Sequence, residues 1–133
     1  MQVADADGRV TFTSIFPACY SGRWPHIHFE VYPDQASITD DSKVIATSQI
    51  ALPKDVCTTV YAQEGYSSSL TNLAQVSLAG DNVFGDDDGA SQLATVTGNL
   101  SKGYQVSLTA GVDTSTTPAG GQNAGGPPGS GRP

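Results

Sequence analysis

The fold is set by one stretch near the start of the chain, Pro25-His26-Ile27-His28-Phe29-Glu30-Val31-Tyr32-Pro33. The stretch is rich in β-branched and aromatic residues, which favour strands, and it lies between two prolines, which cannot donate a hydrogen bond within a sheet. It therefore predicts a β-strand over residues 26–32. Because side chains alternate across a strand, His26 and His28, the two histidines of the chain, should project from one face.

Alternating patterns predict further strands on both sides of this one. They cover residues 9–16, 44–52, 92–97 and 104–109, and the last two form a hairpin joined by residues 98–103. Between them the apolar spacing becomes helical and predicts two short helices, over residues 53–61 and 69–78. Strands towards both ends with a helical excursion predict an all-β fold, a sandwich of mainly antiparallel strands with one or two short helices.

The two ends of the chain lead to separate expectations. Residues 1–8 have neither the basic nor the apolar region of a signal peptide and indicate a strand end that runs into an Asp-Gly turn. Because a domain seldom opens within a hairpin, we expect the N-terminal strands to be missing and the core domain, residues 1–112, to be N-terminally truncated. Residues 113–133 contain no large apolar side chain and are predicted to be a Gly/Pro-rich disordered tail.

Charge and hydropathy narrow the range of partners. The 133 residues include 13 acidic and 6 basic side chains, for a net charge of -7. So few cations cannot neutralise several phosphates, and nucleic acid is not expected as a partner. The same charge disfavours anionic membrane surfaces. No apolar run approaches the roughly 20 residues of a spanning helix, so a membrane is not expected either.

The chemistry of the chain is concentrated in the segment that leads into the histidine strand. Two histidines at i and i+2 have the spacing a metal needs when one strand supplies two ligands. The alternative is that one histidine is a satisfied core residue and the other lies on the surface. A tyrosine six positions before His26 and an arginine three positions before it, in a turn rich in Gly and Pro, favour the metal site.

At these residues the sequence resembles the intradiol ring-cleavage dioxygenases, the non-haem iron family of protocatechuate 3,4-dioxygenase and catechol 1,2-dioxygenase. The resemblance runs from Asp5 to about Leu52. Its motifs are Asp-x-Asp-Gly, a Pro-x-x-Tyr turn, Arg-x-x-His-x-His-Phe and a strand that carries Ser-Gln. The later helices and hairpin also look like the C-terminal part of the shorter, secreted members.

The resemblance implies a site and a reaction. Tyr20, His26 and His28 would hold Fe(III), Arg23 would stabilise negative charge on the substrate, and Gln49 would line the same pocket. The substrates would be a small catechol and O2, with the ring cleaved between its two hydroxyls. Phenolate oxygen favours ferric iron, and imidazole supplies neutral nitrogen. Taken alone, Arg23 could instead be a surface residue stacked on Trp24 or paired with Glu30, and Gln49 could face solvent.

One ligand of the family pattern is missing. In these enzymes the first tyrosinate lies before the Asp-x-Asp-Gly turn, and no tyrosine precedes Tyr20 in this chain. The expectation is that Met1 is internal to a longer parent and that this chain is a C-terminal fragment.

Cys19 and Cys57 are the only cysteines. In an acidic chain rich in Thr, Ser and Gly they suggest an extracytoplasmic protein with one disulfide. Two free buried thiols are the second interpretation. In the third, Cys19 joins the histidines in a zinc or copper site. Neighbours in an extended chain face opposite sides, so Cys19 and Tyr20 are not expected both to face the metal, and the resemblance favours Tyr20.

Two functions therefore compete. The first is a non-haem Fe(III) intradiol dioxygenase or a fragment of one, whose parent is extracellular or associated with the cell envelope. The second is a non-catalytic, secreted β-sandwich module in which His26 and His28 are structural. The sequence leaves the oligomeric state open.

Overall fold

The computed structural model describes residues 1–115, and within them the chain is mostly strand and loop. It has two helices and two small antiparallel sheets. The elements in chain order are β1 (His26–Val31), β2 (Ala46–Ala51), α1 (Lys54–Tyr61), α2 (Ser67–Leu73), β3 (Thr95–Asn99) and β4 (Gly103–Ser107). Apart from its first three residues, the predicted tail, 113–133, lies outside the described residues.

Strands β1 and β2 form the first sheet, as the sequence predicts. They pair antiparallel in a register that places His26 opposite Ala51 and His28 opposite Gln49. One face of this pair therefore carries both histidines together with Gln49 and Thr47, two polar side chains that are fully buried. The face that holds the candidate site is thus an unusually polar face for a core strand pair.

Strands β3 and β4 form the predicted hairpin with a tighter turn than the sequence suggests. The pairing continues to Gly98 opposite Tyr104 and Asn99 opposite Gly103. Gly98 and Gly103 adopt positive φ angles of 112° and 89°, which glycine tolerates. The Asn99 side chain closes the turn by accepting from the backbone N–H groups of Ser101 and Lys102. A single parallel bridge, between Ala51 and Leu93, joins this part of the chain to β2.

The predicted strand over residues 9–16 is not formed. The Asp-Gly turn before it is present, because Asp5 accepts hydrogen bonds from the backbone of Asp7 and Arg9. No neighbouring strand pairs with residues 9–16 among residues 1–115. Phe12 and Ile15 lie 62% and 83% exposed. The prediction of a strand here is wrong, because a strand needs a partner backbone and no pattern within the segment supplies one.

The core lies between the two helices, the segment before β1 and the loop that follows α2. Helix α1 contributes Cys57, Val60 and Tyr61 to it, and α2 contributes Leu73. The phenol of Tyr61 donates to the carbonyl of Pro17 at 2.7 Å, which fixes the chain just before the candidate site. Neither helix has the length or apolar character needed to cross a bilayer.

Trp24 connects this core to β2. It is buried, and its indole N–H donates to the carbonyl of Leu52 at 2.8 Å. Trp24→Phe leaves that buried carbonyl unsatisfied, so we expect the free energy of unfolding to fall by about 1 to 3 kcal/mol. Urea denaturation monitored by circular dichroism measures this change. Fluorescence is unsuitable, because Trp24→Phe removes the only tryptophan of the chain.

Phe12→Leu is the control for this prediction. Phe12 is exposed, so its replacement should change the free energy of unfolding by less than about 0.5 kcal/mol. Equal losses in the two variants would contradict the role given to the Trp24 indole.

Candidate functional site

His26 is held by its backbone neighbour in one defined orientation. Its Nδ1 lies 2.6 Å from the carbonyl oxygen of Trp24. Because a carbonyl only accepts, Nδ1 must carry the proton, and in a neutral imidazole Nε2 is then left with a free lone pair. Burial lowers the pKa of His26, and the nearby Arg23 charge acts in the same direction. A neutral ring with a free Nε2 is the form that binds a metal ion.

His28 lies two residues further along the same face, closer to solvent. Its Nε2 is 3.5 Å from a carboxylate oxygen of Glu30. Glu30 also accepts from the Tyr32 hydroxyl at 2.7 Å. The imidazole is therefore accessible from outside and has a carboxylate beside it.

Tyr20 lies against the first histidine. The ring centroids of Tyr20 and His26 are 5.8 Å apart, and the rings meet edge to face at 71°. Tyr20 is half exposed, whereas the preceding Cys19 is buried. The two neighbours therefore face opposite sides, as their alternation in extended chain predicts.

The alternative site made from Cys19 and the two histidines is not formed. The Cys19 thiol points into the core, where it lies 3.6 Å from the carbonyl of Arg23. Over residues 1–115, no three His, Cys, Asp or Glu side chains come together closely enough to hold a metal ion. Tyr20 supplies a phenol beside His26.

Arg23 is buried and does not pair with Glu30. Its guanidinium forms an ion pair with Asp81, with Nε at 2.9 Å from Oδ2 and Nη2 at 3.2 Å from Oδ1. Nη2 also donates to Oε1 of Gln49 at 2.6 Å. Neither surface interpretation of Arg23 fits this arrangement, because the side chain is only 8% exposed.

Gln49 is likewise buried, so it does not face solvent. The structure brings it together with Arg23, as the resemblance implies, on the face of the sheet that carries the histidines. Three buried polar atoms have no hydrogen-bond partner among residues 1–115: Arg23 Nη1, Gln49 Nε2 and Thr47 Oγ1. Buried donors are nearly always satisfied in native proteins, and a water molecule or a bound ligand would satisfy these atoms.

Asp81 is the site residue that the sequence analysis misses. Its carboxylate accepts from Arg23 and also from the backbone N–H groups of Trp24, Val83 and Phe84. Burial alone would raise the pKa of Asp81, but these hydrogen bonds outweigh it and lower the pKa. The sequence offers only an indirect signal for Asp81. A buried arginine requires a carboxylate partner, and Asp81 lies just before the apolar pair Val83-Phe84.

Comparison of the chain with protein-family models, with curated proteins and with solved structures gives no match.

The two cysteines are free and buried, which agrees with the second interpretation of the pair and not with a bridge. Both belong to the same apolar core. Burial raises the pKa of Cys19, and it raises the pKa of Cys57 to about 12. Since the thiolate is the reactive form, both thiols should be inert in the folded protein.

Alkylation tests this state of the cysteines. With a pKa of about 12, Cys57 is ionised at pH 8 in only about one molecule in 10,000. Iodoacetamide at pH 8 should therefore label neither cysteine in the native protein and both in urea, as read by intact mass. Rapid native labelling, or a mass two hydrogens lighter with no labelling in urea, would contradict it.

Proposed function

We propose that this chain carries three ligands of a ferric non-haem site, Tyr20, His26 and His28, and that it is an intradiol dioxygenase or part of one. Its substrates are a small catechol and O2, and the ring is cleaved between the two hydroxyls. The observation that carries the proposal is the set of donors gathered around His26, with a free imidazole nitrogen, a second imidazole on the same face and a phenol against the ring.

The donor set suits ferric iron. A phenolate oxygen is a hard, anionic donor that favours Fe(III), and the two imidazoles supply neutral, borderline nitrogens. The soft thiolate that Cys19 could supply faces away from them. When bound, ferric iron withdraws electron density from a catechol and opens the ring carbon beside an oxygen to attack by O2. The protein side chains then have to position the catechol and accept the protons of its hydroxyl groups.

Tyr20 is the residue suited to receive a proton. It is half exposed at the edge of the site, so its ring has room to turn away from His26 when a substrate enters. As a phenolate, Tyr20 would be able to accept a proton from a catechol hydroxyl. This is general-base catalysis by a positioned side chain.

Arg23 and Gln49 are suited to hold a substrate oxygen. Arg23 Nη1 and Gln49 Nε2 are shielded from water and lack acceptors within residues 1–115. Donors that are fixed before the substrate arrives stabilise developing negative charge without reorganisation. The ion pair to Asp81 fixes the guanidinium in place, and Nη1 is its one nitrogen without a hydrogen-bond partner in the described part of the chain.

We further propose that the two antiparallel sheets are parts of a β-sandwich and that the protein is secreted or associated with the cell envelope. The alternation of more and less exposed positions along β2 and β4 supports the sandwich.

A non-catalytic binding module is the second candidate function. The exposed apolar side chains of Val10, Phe12 and Ile15 favour it, because exposed apolar segments often mark interaction surfaces. In such a module the histidines would have no metal, so metal binding separates the two candidates.

The test is a titration of the whole chain with Fe(III), followed by visible absorption and by catechol cleavage. Tyrosinate bound to ferric iron should give a visible charge-transfer band. His28→Ala should lose the band and any cleavage together, because loss of a ligand weakens binding by more than the about 10- to 100-fold typical of supporting residues. Tyr20→Phe should lose the band as well.

Tyr32→Phe is the matched control. It removes a phenol that contacts Glu30 on the same strand but is not assigned to the metal, so the band should persist. A band that survives in His28→Ala, or an absence of iron binding by the unaltered chain, would contradict the proposed function.

A further inference from the structure

Asp81 accepts five hydrogen bonds and is almost completely enclosed. Its side chain is 1% exposed. Oδ2 accepts from Arg23 Nε at 2.9 Å and from the Trp24 backbone N–H at 2.8 Å. Oδ1 accepts from Arg23 Nη2 at 3.2 Å and from the backbone N–H groups of Val83 and Phe84 at 2.8 and 3.2 Å. The two oxygens thus face different parts of the chain.

The Oδ2 side leads directly to His26. Asp81 holds the N–H of Trp24, and the carbonyl of the same residue accepts from His26 Nδ1 at 2.6 Å. The indole of Trp24 is fixed separately, by its bond to Leu52. Trp24 therefore cannot rotate its peptide groups freely, and its carbonyl stays aimed at Nδ1.

The Oδ1 side reaches His26 by a second route. It caps the turn that contains Phe84, a fully buried residue whose ring lies 6.4 Å from the His26 ring at 65°. The turn is tight: a Cβ on Gly85 would lie 2.5 Å from the carbonyl oxygen of Asp81. One carboxylate thus orders both the backbone that bonds to His26 and the aromatic ring that packs against it.

We infer that Asp81 is a positioning residue for His26, which fixes its Nδ1–H tautomer and its orientation through Trp24 and Phe84. The assignment of the tautomer depends only on the contacts described above. Its consequence, that Nε2 is presented to a metal, rests on the proposed function.

Asp81→Asn is suited to test this because the two oxygens differ. An amide can keep only one oxygen. If the oxygen stays at the Oδ1 position to cap Val83 and Phe84, the NH2 group faces the donors Arg23 Nε and Trp24 N–H. The link to Trp24 is then lost while the turn is kept. The opposite orientation releases the turn and Phe84 instead.

The primary measurement is the tautomer of His26 by 15N NMR on metal-free protein at a pH where the ring is neutral. The chain has only two histidines, so His28→Ala assigns the signals. The unaltered chain should show the Nδ1–H form alone, and Asp81→Asn should show a mixture with Nε2–H. Asp87→Asn is the matched control, because Asp87 caps Gly89 and Ser91 in an exposed turn of the same loop. It should leave the His26 tautomer unchanged.

Two results would overturn the inference. One is an Nε2–H tautomer of His26 in the unaltered chain, which is decisive even if Asp81→Asn does not fold. The other is a folded Asp81→Asn in which fast exchange of the Trp24 N–H shows that its bond to position 81 is lost, while the Nδ1–H form of His26 is intact.

Binding of Co(II), used as a probe, separates this inference from the proposed function. Asp81→Asn should bind Co(II) about 10- to 100-fold more weakly than the unaltered chain, and Asp87→Asn should bind equally well. If the unaltered chain binds no Co(II) but the tautomer responds to Asp81→Asn, the metal site fails and the positioning role stands. If Co(II) binds and Asp81→Asn changes neither readout, the positioning role fails and the metal site stands.

Discussion

The ion pair between Arg23 and Asp81 joins two parts of the chain that are 58 residues apart. Removing one partner of a buried ion pair typically costs about 3 to 5 kcal/mol, because the other charge is left uncompensated. The pair sits where the segment before β1 meets the loop after α2, and both segments lack regular structure of their own. Their mutual position, and with it the position of Tyr20, His26 and Phe84, depends on this contact.

The site is built on one polar face of a strand pair. Strand β1 supplies His26 and His28, and β2 supplies Gln49, which bonds to Arg23. A rigid strand pair gives more accurate placement than a loop does. In the proposed site the two imidazoles lie on β1, and the phenol of Tyr20 lies in the segment before it.

The sequence predicted the elements whose signals are local. Strand β1 lies between its two prolines, α1 follows Pro53, and the hairpin of β3 and β4 alternates as expected. Residues 9–16 have the same kind of alternation but no partner, which a local pattern cannot reveal. The pairing of Asp81 with Arg23 could not be predicted for a similar reason, because an ion pair between residues 58 positions apart produces no local sequence pattern. Tyr20, His26 and Gln49 could be predicted as site residues because they lie in one motif or in a strand that pairs with it, and their roles stay predictions.

Amide hydrogen exchange tests most directly whether the Asp81 carboxylate organises the site. The account predicts that the N–H groups of Trp24, Val83 and Phe84 exchange as slowly as those of the β1 and β2 ladder, because each donates to a buried carboxylate. The amide of the exposed Ser91, which donates to the exposed Asp87, provides the fast reference. Exchange at Trp24, Val83 and Phe84 as fast as at that reference would contradict the account.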